Sequence, residues 1–283
     1  MNLVTRELPG SPALRYAEGG ASGPPLLLLH GVTRFGREWE ELVPELGQQW
    51  RVFTLDQRGH GGSGRAASYR VVDYVADAVQ FIREAVAAPL VIHGHSLGAM
   101  VAAAVAAEAP ERVRAVVLED PPFHTMGQRI AGSAWEAQFI GMREVARRGG
   151  TIEQLADALA DIRLPVAAGG FKRMGELRER AALLWSAECL TLLDPEVLTP
   201  IIEGRWLEGY DIAGIFARIR CPVLLLQADP AAGGTLTDDD AHLARRAVAD
   251  CRVVRFPGTG HQIHREQLDA TLQAVREFVA PEN

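Results

Sequence analysis

The chain lacks several features, and each absence removes a class of function. Its three cysteines, Cys189, Cys221 and Cys251, are an odd number at wide spacings. They form neither a disulfide framework nor a zinc pattern and read as buried free thiols of a cytosolic protein. Charge of one sign is also missing: 29 Lys and Arg against 36 Asp and Glu leave a net charge of −7, with no basic cluster. No electrostatic footprint for nucleic acid or an anionic membrane is therefore expected. The longest apolar stretches, such as Met100–Ala107, are far shorter than the roughly 20 residues of a membrane span. The first residues carry no basic segment followed by an apolar one, which predicts no secretory signal and a cytoplasmic location. Aromatic residues make up only 6%. No repeat or low-complexity tract is present.

What is there is an ordinary globular composition, 48% hydrophobic and 23% charged, at a length that suits one large domain with an insertion. Short, near-continuously apolar runs (Leu26–Leu29, Val52–Leu55, Leu90–Ile92, Val113–Leu118, Val223–Leu226 and Arg252–Phe256) read as strands, mostly buried and parallel. Helical patterns lie between and after them at Glu38–Leu46, Val71–Ala87, Leu97–Ala109 and Glu266–Val279. Leu3–Leu8 and Ala13–Glu18, separated by Pro9-Gly10, read as an antiparallel hairpin. This alternation predicts an α/β fold, a mostly parallel sheet with helices on both faces. The strands stop between Pro122 and Ile219, where the pattern is helical. The expected organisation is a core formed by 1–121 and 220–283, with a helical lid at 122–219.

The strongest chemical signal is Gly94-His95-Ser96-Leu97-Gly98, between a strand and a helix. A serine on so tight a turn can present its hydroxyl only if its flanks lack bulk, hence the two glycines. His30-Gly31-Val32, Asp56-Gln57-Arg58-Gly59-His60-Gly61-Gly62-Ser63 and Gly258-Thr259-Gly260-His261 each follow a predicted strand. That is the end of the sheet where open α/β folds bind ligands. With these four motifs in this order, the chain resembles the α/β-hydrolase superfamily over nearly its whole length outside the lid.

The resemblance implies Ser96 as nucleophile and His261 as general base, because an unassisted serine is a poor nucleophile at neutral pH. It implies an oxyanion hole made by the N–H groups of Val32 and Leu97. His264 is the rival base, His93 a satisfied core residue, and His30, His60, Asp56 and Arg58 supports of the loops. The triad acid departs from the commonest family pattern. The strand Val223–Gln227 is followed by Ala228-Asp229-Pro230-Ala231, which puts Ala231 in the acid's slot. The preferred assignment is Asp120, 24 residues past Ser96, with Asp229 and then Glu119 as alternatives. The lid is expected to contribute His124, Trp135, Phe139 and Trp185 to a pocket for medium-sized apolar groups, with Phe171 and Trp206 as further lid aromatics.

The expected activity is that of a serine hydrolase of carboxylesterase type, cleaving a small apolar ester or lactone without a metal or cofactor. Alternatives on the same fold are a carbon–carbon bond hydrolase, a thioesterase, a lyase or a slow-turnover ligand receptor. The expected partner is a small-molecule substrate; the oligomeric state stays open.

Overall fold

A computed structural model describes residues 3–126, 130–166 and 169–279. Its strands are β1 (Val4–Leu8), β2 (Leu14–Gly20), β3 (Pro25–Leu29), β4 (Arg51–Leu55), β5 (Leu90–His95), β6 (Val113–Glu119), β7 (Arg163–Pro165), β8 (Phe171–Arg173), β9 (Val223–Ala228) and β10 (Cys251–Phe256). Eight of them form one sheet in the order β1-β2-β4-β3-β5-β6-β9-β10. The β1–β2 and β2–β4 pairings are antiparallel and the rest parallel. The N-terminal hairpin and the parallel strands thus lie where the sequence pattern puts them, to within a few residues.

Side chains alternate across a strand, so each central strand feeds two cores. Leu27, Leu29, Ile92, Val116, Leu118 and Leu225 pack on one face with the helices Val71–Glu84 and Leu97–Glu108. Leu26, Leu28, Val91, Val117, Leu224 and Leu226 pack on the other with Trp39, Leu272 and Val275. Leu97–Glu108 is buried all round except at its end, which suits its run of alanines.

Between β6 and β9 the chain leaves the sheet. Helix Ala134–Arg148 starts at Ser133, whose hydroxyl accepts from Glu136 N. Helix Ile152–Ala160 starts at a capping box of Thr151 and Gln154. Helix Arg180–Thr191 packs on the latter. The pattern missed two features: the β7–β8 hairpin, too short to show alternation, and the helix Asp238–Ala247 after β9. The expected helix Glu38–Leu46 is instead two short pieces, Gly36–Trp39 and Val43–Leu46, the second with Pro44 in its first turn. Helix Ile212–Arg218 packs on Leu97–Glu108, and Tyr210 Oη donates to Met100 O at 2.7 Å, so this helix belongs with the core layer.

Candidate active site

Ser96 sits between β5 and helix Leu97–Glu108 with φ 53° and ψ −114°, a conformation that side chains rarely adopt. The neighbouring glycines explain how it fits. A Cβ on Gly94 would run into the Gly98 carbonyl, and one on Gly98 into the Leu29 carbonyl. The turn is held by Ser96 N donating to Glu119 O at 2.9 Å.

Asp120 follows β6, also at positive φ (44°), and is fully buried. Its Oδ2 lies 2.6 Å from His261 Nδ1 and accepts from Thr235 N at 2.7 Å, while Oδ1 accepts from Leu236 N at 3.1 Å. Burial raises the carboxyl pKa, but the His261 bond and charge and these amides outweigh it and hold Asp120 below its ordinary value. His261 is shifted down, chiefly by burial against the opposing pull of Asp120, so its imidazole is neutral at pH 7. Asp229 stands elsewhere. It is half-buried, and its carboxylate caps the exposed turn Pro230–Ala232, accepting from Ala231 N and Gly258 N at 2.8 Å each.

Glu119 faces away from Asp120. It accepts from His264 N at 2.9 Å, pairs with His264 Nδ1 at 2.7 Å, and reaches His93 Nε2 at 3.1 Å. Trp39 lies against both rings. His264 is therefore sealed in the core with its own carboxylate. Sequence reasoning missed the role of Glu38. It is buried, accepts from Gly31 N at 2.8 Å, and contacts His95 Nδ1 at 3.1 Å. His95 Nε2 donates in turn to His261 O at 3.0 Å, since the ring's charge makes both nitrogens donors. Burial opposes that charge, but Glu38 raises the His95 pKa to about 9.

Ser96 and His261 line one cavity of about 450 Å³. Gly31 N and Thr33 N already have side-chain acceptors, Glu38 and His60. Val32, between them, also lines the cavity, and Leu97 N opens a helix, where the first amides have no partner within the helix. Among the described residues no cluster of three or more His, Cys, Asp or Glu could hold a metal ion. No helix there is long and apolar enough to cross a membrane.

The profile of the alpha/beta hydrolase fold matches residues 24–161. 2-(Acetamidomethylene)succinate hydrolase of Mesorhizobium japonicum is 27% identical, the match covering 95% of this chain and 92% of that protein. N-formylmaleamate deformylase of Pseudomonas putida is 26% identical, with coverage of 93% and 91%. The crystal structure of an E-2-(acetamidomethylene)succinate hydrolase superposes with a TM-score of 0.75 at 23% identity, covering 98% of this chain and 99% of that one. The chain has the α/β-hydrolase fold.

The fold and these relatives together support an enzyme of hydrolytic type. The loop motifs after β3 and β4 hold the loops around the cavity together. Gln57 N donates to His30 Nε2 at 2.9 Å, Thr33 N to His60 Nε2 at 3.3 Å, and Asp56 accepts from Gly36 and Gly62. Arg58 is paired with Asp77 through two bonds of 2.6 Å.

Of the expected lid residues, Trp135, Phe139 and Trp206 line the cavity, and the Trp135 ring stands edge-on to His261 at 5.4 Å between centroids. Two do not line it. Trp185 packs on Phe35 and under the guanidinium groups of Arg37 and Arg265. His124 is half-exposed and pairs with Asp240, a residue of the helix that the pattern missed. Phe171 is exposed beside Arg163. Nor is the cavity simply apolar, because Arg34, Gln138 and Arg178 share its wall.

Proposed function

We propose that this protein is a serine hydrolase that cleaves a carboxylic ester or lactone through Ser96, His261 and Asp120. The observation that carries this reading is the 2.6 Å contact between Asp120 and His261 Nδ1, made beside a cavity that His261 shares with Ser96 in its strained turn. With Nδ1 engaged, Nε2 is the nitrogen left to accept a proton.

In the first half-reaction the Ser96 hydroxyl attacks the acyl carbon and His261 takes its proton. The carbonyl oxygen becomes an oxyanion, which the N–H groups of Val32 and Leu97 stabilise. Each such donor contributes about 3 kcal/mol to the barrier difference. His261 then protonates the leaving alcohol, giving an acyl-enzyme on Ser96. In the second half, water loses a proton to His261 and attacks the acyl carbon. Ser96 recovers its proton and the carboxylic acid departs. Asp120 stays ionised throughout, holding the imidazole tautomer and stabilising the imidazolium. The helical insertion 122–211 acts as the lid of this cavity, with Trp135 and Phe139 excluding water beside His261.

A second reading keeps the residues and changes the bond. Two relatives aligned over nine-tenths of this chain carry the names of an acetamidomethylene succinate hydrolase and a formylmaleamate deformylase, which points to an amide-type acyl group. Steady-state turnover of matched p-nitrophenyl esters, lactones and N-acyl compounds separates the two readings. Single-turnover kinetics on every member of the panel would favour a ligand receptor and overturn both.

A further inference from the structure

Two arginines in the cavity wall have no carboxylate within salt-bridge distance among the described residues. Arg34 comes from the loop after β3, two residues past Val32, and Arg178 from the insertion, just before helix Arg180–Thr191. Arg34 is only 9% exposed, and its described polar contact is a long one, Nη1 donating to the carbonyl of neighbouring Thr33 at 3.4 Å. Arg178 donates from Nη2 to the side-chain oxygen of Gln138 at 2.9 Å, a neutral partner that is itself buried. Among the described residues neither forms a salt bridge. Arg58, the half-buried guanidinium beside the Gly59 turn, shows the usual arrangement, with both oxygens of Asp77 facing it.

The carboxylates nearest the cavity are otherwise engaged or exposed. Glu38 is committed to His95 and Gly31 N, Glu266 accepts from Gly260 N at 2.9 Å, and Glu179 is exposed to solvent. Arg178 is pushed down to about 10, first by burial and then by the charge of Arg34. Two like charges thus share a half-dry pocket, and among the described residues no carboxylate pairs with either of them. Such an arrangement is unfavourable in the free protein and becomes favourable when an anion enters.

We propose that Arg34 and Arg178 form a carboxylate-binding subsite, and that the substrate of Ser96 is a short acyl compound carrying a free carboxylate away from the scissile bond. The class is that of half-esters, or half-amides, of small dicarboxylic acids. This rests on the serine-hydrolase reading above. A planar guanidinium matches the two oxygens of a carboxylate, and Gln138 holds the Arg178 fork in place. The subsite draws one residue from the core and one from the insertion, so a bound carboxylate ties the lid to the sheet beside the oxyanion loop. The apolar wall of Trp135, Phe139 and Met126 is left for the carbon chain.

The test compares two esters of equal chain length, mono-p-nitrophenyl adipate and p-nitrophenyl hexanoate. Wild-type protein is expected to favour the adipate in kcat/KM, and Arg34→Met or Arg178→Met to lower that preference by about 10²-fold, mostly through KM. Arg178→Lys should recover part of it. Thermal melts read the site without turnover. Glutarate should raise the Tm of Ser96→Ala protein and fail to raise it once either arginine is also replaced by Met. No adipate preference in wild type, or a preference that survives both arginine variants, overturns the subsite while leaving the hydrolase reading intact. Ester turnover that survives Ser96→Ala overturns the hydrolase reading, and the glutarate melt then judges the subsite on its own. Inorganic phosphate protecting better than glutarate at equal concentration overturns the assignment to carboxylate.

Discussion

Glu119 and Asp120 are adjacent in sequence, both are carboxylates, and each holds a histidine of the same short segment, His264 and His261. One pair is buried behind Trp39 with His93 as a third member, and the other borders the cavity of Ser96. The difference lies in the sheet. Glu119 is the last residue of β6, on the same side as Ala115 and Val117, which pack with Trp39. Asp120 leaves the strand at positive φ and turns towards Thr235 and His261. In the proposed mechanism the same chemistry thus serves as a structural tie on one side of a strand end and as an acid–base pair on the other. Which role a carboxylate takes is decided by the face it occupies and by what lies opposite.

The largest expected effect isolates the cavity side. Ser96→Ala should lower kcat on an activated ester by on the order of 10⁶ while the circular dichroism and Tm stay near wild type. Wild-type turnover by the folded variant would refute the assigned nucleophile. Next comes the contrast itself. Asp120→Asn should lose about 10⁴-fold in kcat, because the amide can no longer hold the imidazole in the tautomer that leaves Nε2 free. Glu119→Gln and Asp229→Asn, measured per folded molecule, should each stay within about tenfold of wild type. If Asp229→Asn were the damaging change, the assignment of the acid would be wrong.

The other side of the comparison appears in stability. Glu119 is fully buried, and burial alone would keep it neutral. His264 and His93 instead hold it well below the ordinary carboxylate range. Removing its charge leaves two imidazoles facing an amide in a closed core, a change expected to cost about 3–5 kcal/mol in urea unfolding. Asp229→Asn, on an exposed turn, should leave the unfolding midpoint close to wild type. Equal destabilisation by the two substitutions would mean that the buried tie contributes nothing specific.

Much of this was legible in the sequence, and the exceptions have physical causes. The sheet, the serine turn and the loop motifs are local patterns, so apolar runs and glycine spacing show them directly. The ordering of Asp120 over Asp229 followed from the departure at Ala231, one slot in one loop. The partners of Glu38, His95 and His264 were hidden because they join segments far apart in the chain. Strand parity offered a clue, since His93, His95 and Glu119 share the side that packs on Trp39. Arg34 and Arg178 were hidden for another reason. Arginine is usually exposed, so an arginine in a loop reads as surface until burial is known. Residue type alone cannot separate Trp135, in the cavity wall, from Trp185, outside it.

The smallest effect sharpens the comparison to two rings that touch. His95 and His261 lie 4.7 Å apart between centroids, yet they titrate in opposite directions. Glu38 lifts His95 to about 9, above its ordinary 6.5, so the stability this pair adds is complete below pH 6.5 and fades as pH rises through about 9. His261 is moved below 6.5, first by burial, with the charge on His95 adding to the shift. Its base form is therefore available at neutral pH, and kcat/KM should fall only as pH drops below 6.5. Glu38→Gln keeps the size of the side chain and an oxygen for Gly31 N, but withdraws the charge that keeps His95 protonated. With His95 neutral, the His261 imidazolium is no longer repelled, so the acid limb of the kcat/KM profile should move to higher pH. The loss of stability on the alkaline side should disappear with it. Profiles of wild type and Glu38→Gln between pH 4.5 and 10, with melts at the same points, measure both limbs. An acid limb that stays put or moves down would show that His95 carries no charge beside the base.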